Sequence, residues 1–261
     1  MRSTSSNPRH QNAPHHQNDA LLQPRQHGGG GDSQSPKPGP SAEGVYGGTL
    51  TGSTSTAFQL LVLENGDLWS LYGTQTPTQF SVSGFVQGSG TSNNGSFTSS
   101  NARDFGVTPA VTGTTTATYD ATAKTISGTV SSGTSTVTFN GGPIAGSLYN
   151  YNTIASLTSV IGSWSTTSLT GESVAINIGS TGTFSAATSL GCNFTGTFMP
   201  RASGKNVFNV AINFGAAPCA LPGQSATGIA VAYPLSNGKM QLLGAVVDGT
   251  RSFGAAVFGT R

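Results

Sequence analysis

From Gly44 onward, short alternations of apolar and small polar residues are cut repeatedly by dipeptides that force the chain to turn. Asn65-Gly66, Asn94-Gly95, Asn140-Gly141, Asn237-Gly238 and Asp248-Gly249 supply the positive φ values that tight hairpin turns need. Alternation with a period of two places successive side chains on opposite faces of a strand, so the pattern demands antiparallel sheet. Strands are predicted near residues 45–50, 56–63, 67–73, 80–87, 94–99, 114–120, 124–131 and 135–140. A second set is predicted near 163–169, 172–179, 182–188, 191–199, 205–214, 227–234, 239–247 and 251–259.

The two sets read as copies of one unit. Gly44-Val45-Tyr46 matches Gly162-Ser163-Trp164, and Phe58, Leu60, Val62, Gly66 and Leu68 stand at one fixed offset from Val174, Ile176, Ile178, Gly182 and Phe184. Between them Ile154, Leu157, Val160 and Ile161 recur at helical spacing ahead of Gly162, which predicts a short connecting helix. The expected fold is all-β: two tandem antiparallel barrels or sandwich-like domains of about eight strands each, joined by that helix. Barrel closure would remove the exposed edges of such Thr- and Val-rich sheets. The expected domains are residues 44–152 and 153–261. Residues 1–43 hold all four histidines (His10, His15, His16, His27), many Gln and Asn, and almost nothing apolar, so they are expected to form a disordered tail or tether.

Charged residues make up 8% of the chain, against roughly 25% in an ordinary soluble protein. With a net charge of +2 and its charges scattered, the chain has no basic stripe for nucleic acid. Residues 125–171 carry no charge, yet Ser, Thr, Asn and Gly break every apolar run, so a transmembrane helix is not expected. An outer-membrane barrel is not expected either, because the strands are short and the last residues are Phe258-Gly259-Thr260-Arg261.

Cys192 and Cys219 are the two cysteines of the chain. They are too few for a structural metal site and read as one disulfide of an oxidising compartment, two buried free thiols being the alternative. Residues 44–261 contain no histidine, which removes the base of a Ser-His-Asp or Cys-His arrangement and the usual imidazole ligands of zinc or iron. No catalytic, cofactor-binding or metal-ligating residue is therefore assigned. Glu64 and Asp67 flank Asn65-Gly66 at a hairpin tip and read as a solvated turn rather than a hydrolase pair. Arg103 and Asp104 are the most distinctive charged spot, either a structural pair tying a long loop to the barrel or part of a binding surface. Trp69 and Trp164 are expected to fill the two cores, with sugar stacking as the alternative.

At these positions the chain resembles a family of small, uncharacterised lipoproteins of Gram-negative proteobacteria that carry a tandem β-unit. The resemblance rests on Gly191-Cys192, Phe194, Gly196, Pro200, Asn206, the Phe208/Val210/Ile212 strand, Phe214-Gly215, Cys219, Gly228-Ile229 and Phe258-Gly259-Thr260. In the first half it rests on Ser99 to Phe105 and Ser127-Gly128-Thr129-Val130. It implies export, acylation of an N-terminal Cys, and anchoring to the outer membrane through a Gly-rich tether. Family members begin their mature part with Cys, glycines and Asp; here His27 stands before Gly28-Gly29-Gly30-Gly31-Asp32, and no apolar signal segment precedes it. Residues 1–27 are thus expected to be a misread, replaced or engineered start.

The expected function is that of a non-enzymatic cell-envelope protein with a binding or structural role. It would be placed at the outer membrane, periplasm or cell surface and act on an envelope or host component. Contact with the membrane would come only through a lipid anchor. A lipocalin-like carrier of a small ligand is the alternative, against which the bulky Phe208, Ile212 and Phe214 argue for a filled barrel. A carboxylate-based secreted enzyme is the third reading. No cofactor is expected.

Overall fold

The computed structural model describes residues 41–261. The expected tail, with its histidines and the Gly28 to Asp32 run, lies outside the described residues up to residue 40.

The first barrel is built from β1 (Gly44–Thr51), β2 (Ala57–Val62), β3 (Asp67–Gln75) and β4 (Phe80–Ser89), then β5 (Thr91–Asn93) and β6 (Ser96–Asp104). It is completed by β7 (Val111–Asp120), β8 (Thr125–Ser132) and β9 (Ser135–Gly142). Its strands run in the order β4-β3-β2-β1-β9-β8-β7-β6, and pairing of Val86 with Asp104 and Gln87 with Arg103 brings β6 back to β4 and closes it. The short β5 was not expected; it pairs only with β6, outside the closed ring.

The second barrel comprises β10 (Gly162–Ser168), β11 (Ser173–Ile178), β12 (Thr183–Thr188) and β13 (Asn193–Pro200). It continues through β14 (Phe208–Phe214), β15 (Ser225–Pro234), β16 (Met240–Asp248) and β17 (Gly254–Thr260), each strand pairing with the next and β17 with β10. The fold is all-β, with two closed eight-stranded antiparallel barrels.

The internal correspondence seen in the sequence holds at the level of register. Tyr46 pairs with Leu60, and Trp164 with Ile176; Gly44 pairs with Val62, and Gly162 with Ile178. Both aromatic side chains are buried and plug one end of their barrel with the same bond. Tyr46 Oη donates to Ala42 O at 2.8 Å and Trp164 Nε1 to Val160 O at 2.7 Å, each four residues back. The turn glycines Gly66 and Gly182 have φ of 84° and 82°, a region costly for any side chain.

The expected connecting helix is reduced to one 3₁₀ turn, Leu157–Ser159. Thr158, Val160 and Ile161 are β-branched and disfavour an α-helix, and Ser159 Oγ bonds back to Ser156 O at 2.8 Å within the turn. Ile154, expected on an apolar helix face, is exposed, whereas Val160 is fully buried under the second barrel.

The barrels pack side by side and belong to one compact unit of the described residues. In β2, Phe58, Leu60 and Val62 point into the first barrel, while Ala57 and Leu61, with Leu63 just beyond, point outward into the seam. Trp69, Leu71, Phe80, Val82 and Phe85 join them from β3 and β4. Across the seam lie Ile229, Tyr233, Leu243, Ala245, Val247, Ala256 and Phe258 of β15–β17. Trp69 therefore does not fill a barrel; it stacks on Phe85 between the two, at a centroid distance of 6.2 Å. Trp164 does sit in its core. The seam is close because β17 carries Gly254, where a Cβ would lie 2.6 Å from atoms of both Phe85 and Phe105.

Candidate functional site

The side chains of greatest interest face inward, and two facts of the strands decide what they enclose. Large and small residues alternate unevenly around the ring, with β15 contributing mainly small ones. In the second barrel Phe184, Phe194, Phe198 and Val210 share the interior with Ala186, Ala226, Ala230 and Ala232. The barrel radius is fixed by strand number and stagger, so small inward residues leave space that neighbours cannot collapse to fill. The result is a cavity of about 490 Å³. The expectation of a filled barrel is thereby corrected: Phe208 is fully buried, but Ile212 and Phe214 line the cavity rather than close it.

The mouth of this cavity is bordered by Leu169, Leu190, Pro218 and Ala220, and by Phe105 to Ala110 of the β6–β7 loop from the first barrel. Leu190 and Val107 are 69% and 47% exposed, an apolar rim facing water. Cys192 also lines it, joined to Cys219 by a disulfide with Cα atoms 4.6 Å apart. The bridge ties the β12–β13 turn to the β14–β15 loop beside the mouth. At the opposite end the barrel is shut by Trp164, over whose ring the Arg261 guanidinium sits 4.0 Å from the centroid. Arg261 Nη1 also donates to Ile161 O at 2.7 Å.

The first barrel encloses a smaller cavity, about 310 Å³, lined by Phe58, Leu60, Leu68, Val86, Phe97, Ile126 and Phe139 with several hydroxyls among them. Ala102 and Ala117 are its small inward residues. Ser83, Gly106 and Val107 border both cavities, so the two mouths adjoin at the β6–β7 loop.

Arg103 and Asp104 lie at the end of β6 rather than in a loop, and they point to opposite faces. Arg103 Nη1 donates across the seam to Arg251 O, while Arg251 Nη2 returns bonds to Gln87 O at 2.7 Å and Asn101 O at 2.8 Å. Burial, then the nearby Arg103 charge, lower the Arg251 pKa from its ordinary value. Asp104 turns inward and borders the smaller cavity. Its Oδ1 accepts from Tyr72 Oη at 2.6 Å and from the Gly106 N–H at 2.8 Å. Burial, with the Asp104 bond and charge behind it, raises the Tyr72 phenol and keeps it a donor.

Glu64 and Asp67 also separate. Asp67 stays in the turn, accepting from Asn65 Nδ2 at 2.8 Å. Glu64 crosses the seam to Arg201 Nε at 2.8 Å. Partial burial pulls its pKa up, but bonds from its own backbone N–H and from Arg201 outweigh this and hold it below the ordinary value. Outward faces of β7–β9 carry hydroxyl rows, such as Thr116 with Thr129 at 3.1 Å and Ser131 with Thr136 at 3.2 Å. A lipid-facing barrel presents an apolar band there. No helix among the described residues is long and apolar enough to cross a membrane.

No protein-family model and no characterised protein sequence matches the chain. Among solved structures it is similar to isotype 1 transferrin-binding protein B from serogroup B Neisseria meningitidis, with 14% identity and a TM-score of 0.27. That match covers 84% of this chain and 44% of the meningococcal one, so the chain spans under half of that neighbour's length. A protein of unknown function from the DUF3598 family of Nostoc punctiforme is similar at 12% identity and a TM-score of 0.25, covering 84% of this chain and 94% of that one. At these scores the functional reading rests on the barrel interiors alone.

Proposed function

We propose that this is a non-enzymatic binding protein of the bacterial envelope whose second barrel holds a small, uncharged, apolar ligand. The observation that carries the reading is the cavity of about 490 Å³ behind an apolar rim. Its size lies within the roughly 300–1,000 Å³ of small-molecule sites. Among the described residues, Glu172 is the charged member of its lining, and no Lys, Arg or His borders it. A fatty carboxylate would find no counter-charge there, whereas a neutral apolar molecule loses only its hydration. Placement in the envelope is supported by the sequence resemblance and by the disulfide, which suits an oxidising compartment.

Titration of the full chain with the neutral probe N-phenylnaphthylamine tests the cargo. Saturable fluorescence gain is expected, and Ala230→Trp, which fills the cavity from β15, should abolish it. No gain with the unmodified protein, or gain that survives Ala230→Trp, would sink this reading. Sequencing the genomic locus tests the anchor: an upstream start encoding an apolar segment ending in Cys is expected, and its absence removes the lipoprotein assignment.

A further inference from the structure

The interior of the first barrel differs from the second by a built polar feature. Asp104 is the charged side chain of its lining among the described residues. One carboxylate oxygen is fixed by Tyr72 and Gly106, as described. Tyr72 can reach it because positions 84 and 106 are glycine; a Cβ there would stand 2.3 Å and 1.8 Å from the Tyr72 hydroxyl. Asp104 is half-buried, and the bonds from Tyr72 and Gly106 both fall on Oδ1, which leaves Oδ2 free to accept from a ligand. In the same lining, on β7, Thr115 is only 6% exposed, and its Oγ1 has no hydrogen-bond partner among the described residues. An acceptor and a hydroxyl left open in one apolar chamber describe what would complement them.

We infer that the first barrel is a separate binding site selective for a small amine with an apolar body. The ammonium sits against Asp104 Oδ2 and the body lies among Phe58, Leu60, Phe97 and Phe139. The charge-assisted bond is stronger than a neutral one, and the carboxylate rejects anionic amphiphiles by like charge. Because one Asp104 oxygen is already held by two donors, the group is oriented before the ligand arrives, which limits the ordering cost of binding. The cavity of about 310 Å³ excludes long-chain lipids. This site does not depend on what the second barrel carries.

Calorimetric titration of the full chain with decylamine, decanol and decanoate at neutral pH tests it. Decylamine should bind tightest and decanoate weakest. Asp104→Asn retains the acceptor for Tyr72 and Gly106 but removes the charge; it should weaken decylamine at least tenfold and leave decanol unchanged. Thr115→Phe fills the chamber from β7 and should abolish decylamine binding while N-phenylnaphthylamine binding to the second barrel persists. Decanoate binding as tight as decylamine, an unchanged amine affinity in Asp104→Asn, or amine binding that survives Thr115→Phe would each overturn the assignment. If Asp104→Asn does not fold, the ligand ranking on the unmodified protein and the Thr115→Phe result decide the matter.

Discussion

Tyr233 Oη donates to Gln59 Oε1 at 2.8 Å, and both side chains are buried between the two barrels. Gln59 comes from β2 and Tyr233 from β15, so this one bond crosses the seam at its apolar centre. Gln241 makes another buried crossing, its Oε1 accepting from the Phe80 N–H at 2.9 Å. In the otherwise apolar centre of the seam, such bonds, together with the Arg103, Arg251 and Glu64–Arg201 contacts at its edges, fix the rotation of one barrel against the other. Apolar contact alone would leave that rotation loose.

Tyr233→Phe should therefore destabilise the protein by about 1–3 kcal/mol, because the Gln59 carboxamide is left buried without a partner. Gln59 Nε2 already has none among the described residues. Adding Gln59→Leu to Tyr233→Phe should recover part of the loss. Urea midpoints of the two single variants and the double variant measure the coupling, and strict additivity would show that the bond contributes nothing.

The two aromatic plugs should differ in weight. Trp164→Ala should cost about 3–5 kcal/mol, since it empties a large core volume. It also strands Val160 O and removes the ring under Arg261. Tyr46→Phe keeps the ring and loses only the bond to Ala42, about 1 kcal/mol. Thermal unfolding of both variants gives the comparison; equal shifts would mean the hydrogen bond, not the volume, dominates.

The Cys192–Cys219 bridge joins residues 27 apart in sequence. Constraint of the unfolded chain by a loop of that length contributes about 3.5 kcal/mol. The double substitution Cys192→Ala with Cys219→Ala should lower the melting temperature. Its effect on probe binding should exceed that of Tyr233→Phe, because the bridge borders the larger mouth. Non-reduced peptide mapping should show the two cysteines linked, and free thiols that alkylate without reductant would contradict this.

Alkaline pH should unfold the protein through its buried phenols. Burial, followed by Tyr119 and Glu43, pushes Tyr46 up to about 12 from an ordinary 10.0. A folded pKa above the unfolded one gives stability that is complete below pH 10 and disappears as the pH climbs through 12. Tyr149 and Tyr233 are raised in the same direction by burial. Phenolate absorbance should thus rise together with loss of structure, and Tyr46→Phe should flatten the fall in urea midpoint between these pH values. Phenolate formation well ahead of unfolding would disprove the linkage.

Much of the architecture was legible in the chain because strands and turns are local matters. Asn65-Gly66 turns between two alternating runs and Phe58, Leu60 and Val62 share a face, although Asn140-Gly141, read as the same signal, continues inside β9 without a positive φ. The repeat was legible for the same reason: Gly44 with Tyr46 and Gly162 with Trp164 keep one spacing. The connecting helix failed because a handful of apolar residues can satisfy helical spacing by chance while β-branched neighbours oppose it. Trp69 was assigned to a core because alternation separates two faces without saying what covers the outer one. The apolar run from Ala57 to Leu63, interrupted only by Gln59, was the signal that both faces are buried.

The sequence by itself determined that this chain forms strands, arranges them in two similar units, and holds no histidine in residues 44–261; that each unit closes into a barrel came from the structure. Only the tertiary structure decided which of Arg103 and Asp104 faces a cavity. Phe97 and Ser99 face inward, and strict alternation would next turn Arg103 in and Asp104 out. A bulge between Ser99 and Ala102 adds one residue against β7 and reverses the phase, so Ala102 and Asp104 face the cavity and Arg103 the seam. The cavities were likewise beyond the sequence, since their volume is what remains when a ring of fixed radius carries small residues among its large ones. That remainder belongs to the closed barrel and to no single residue.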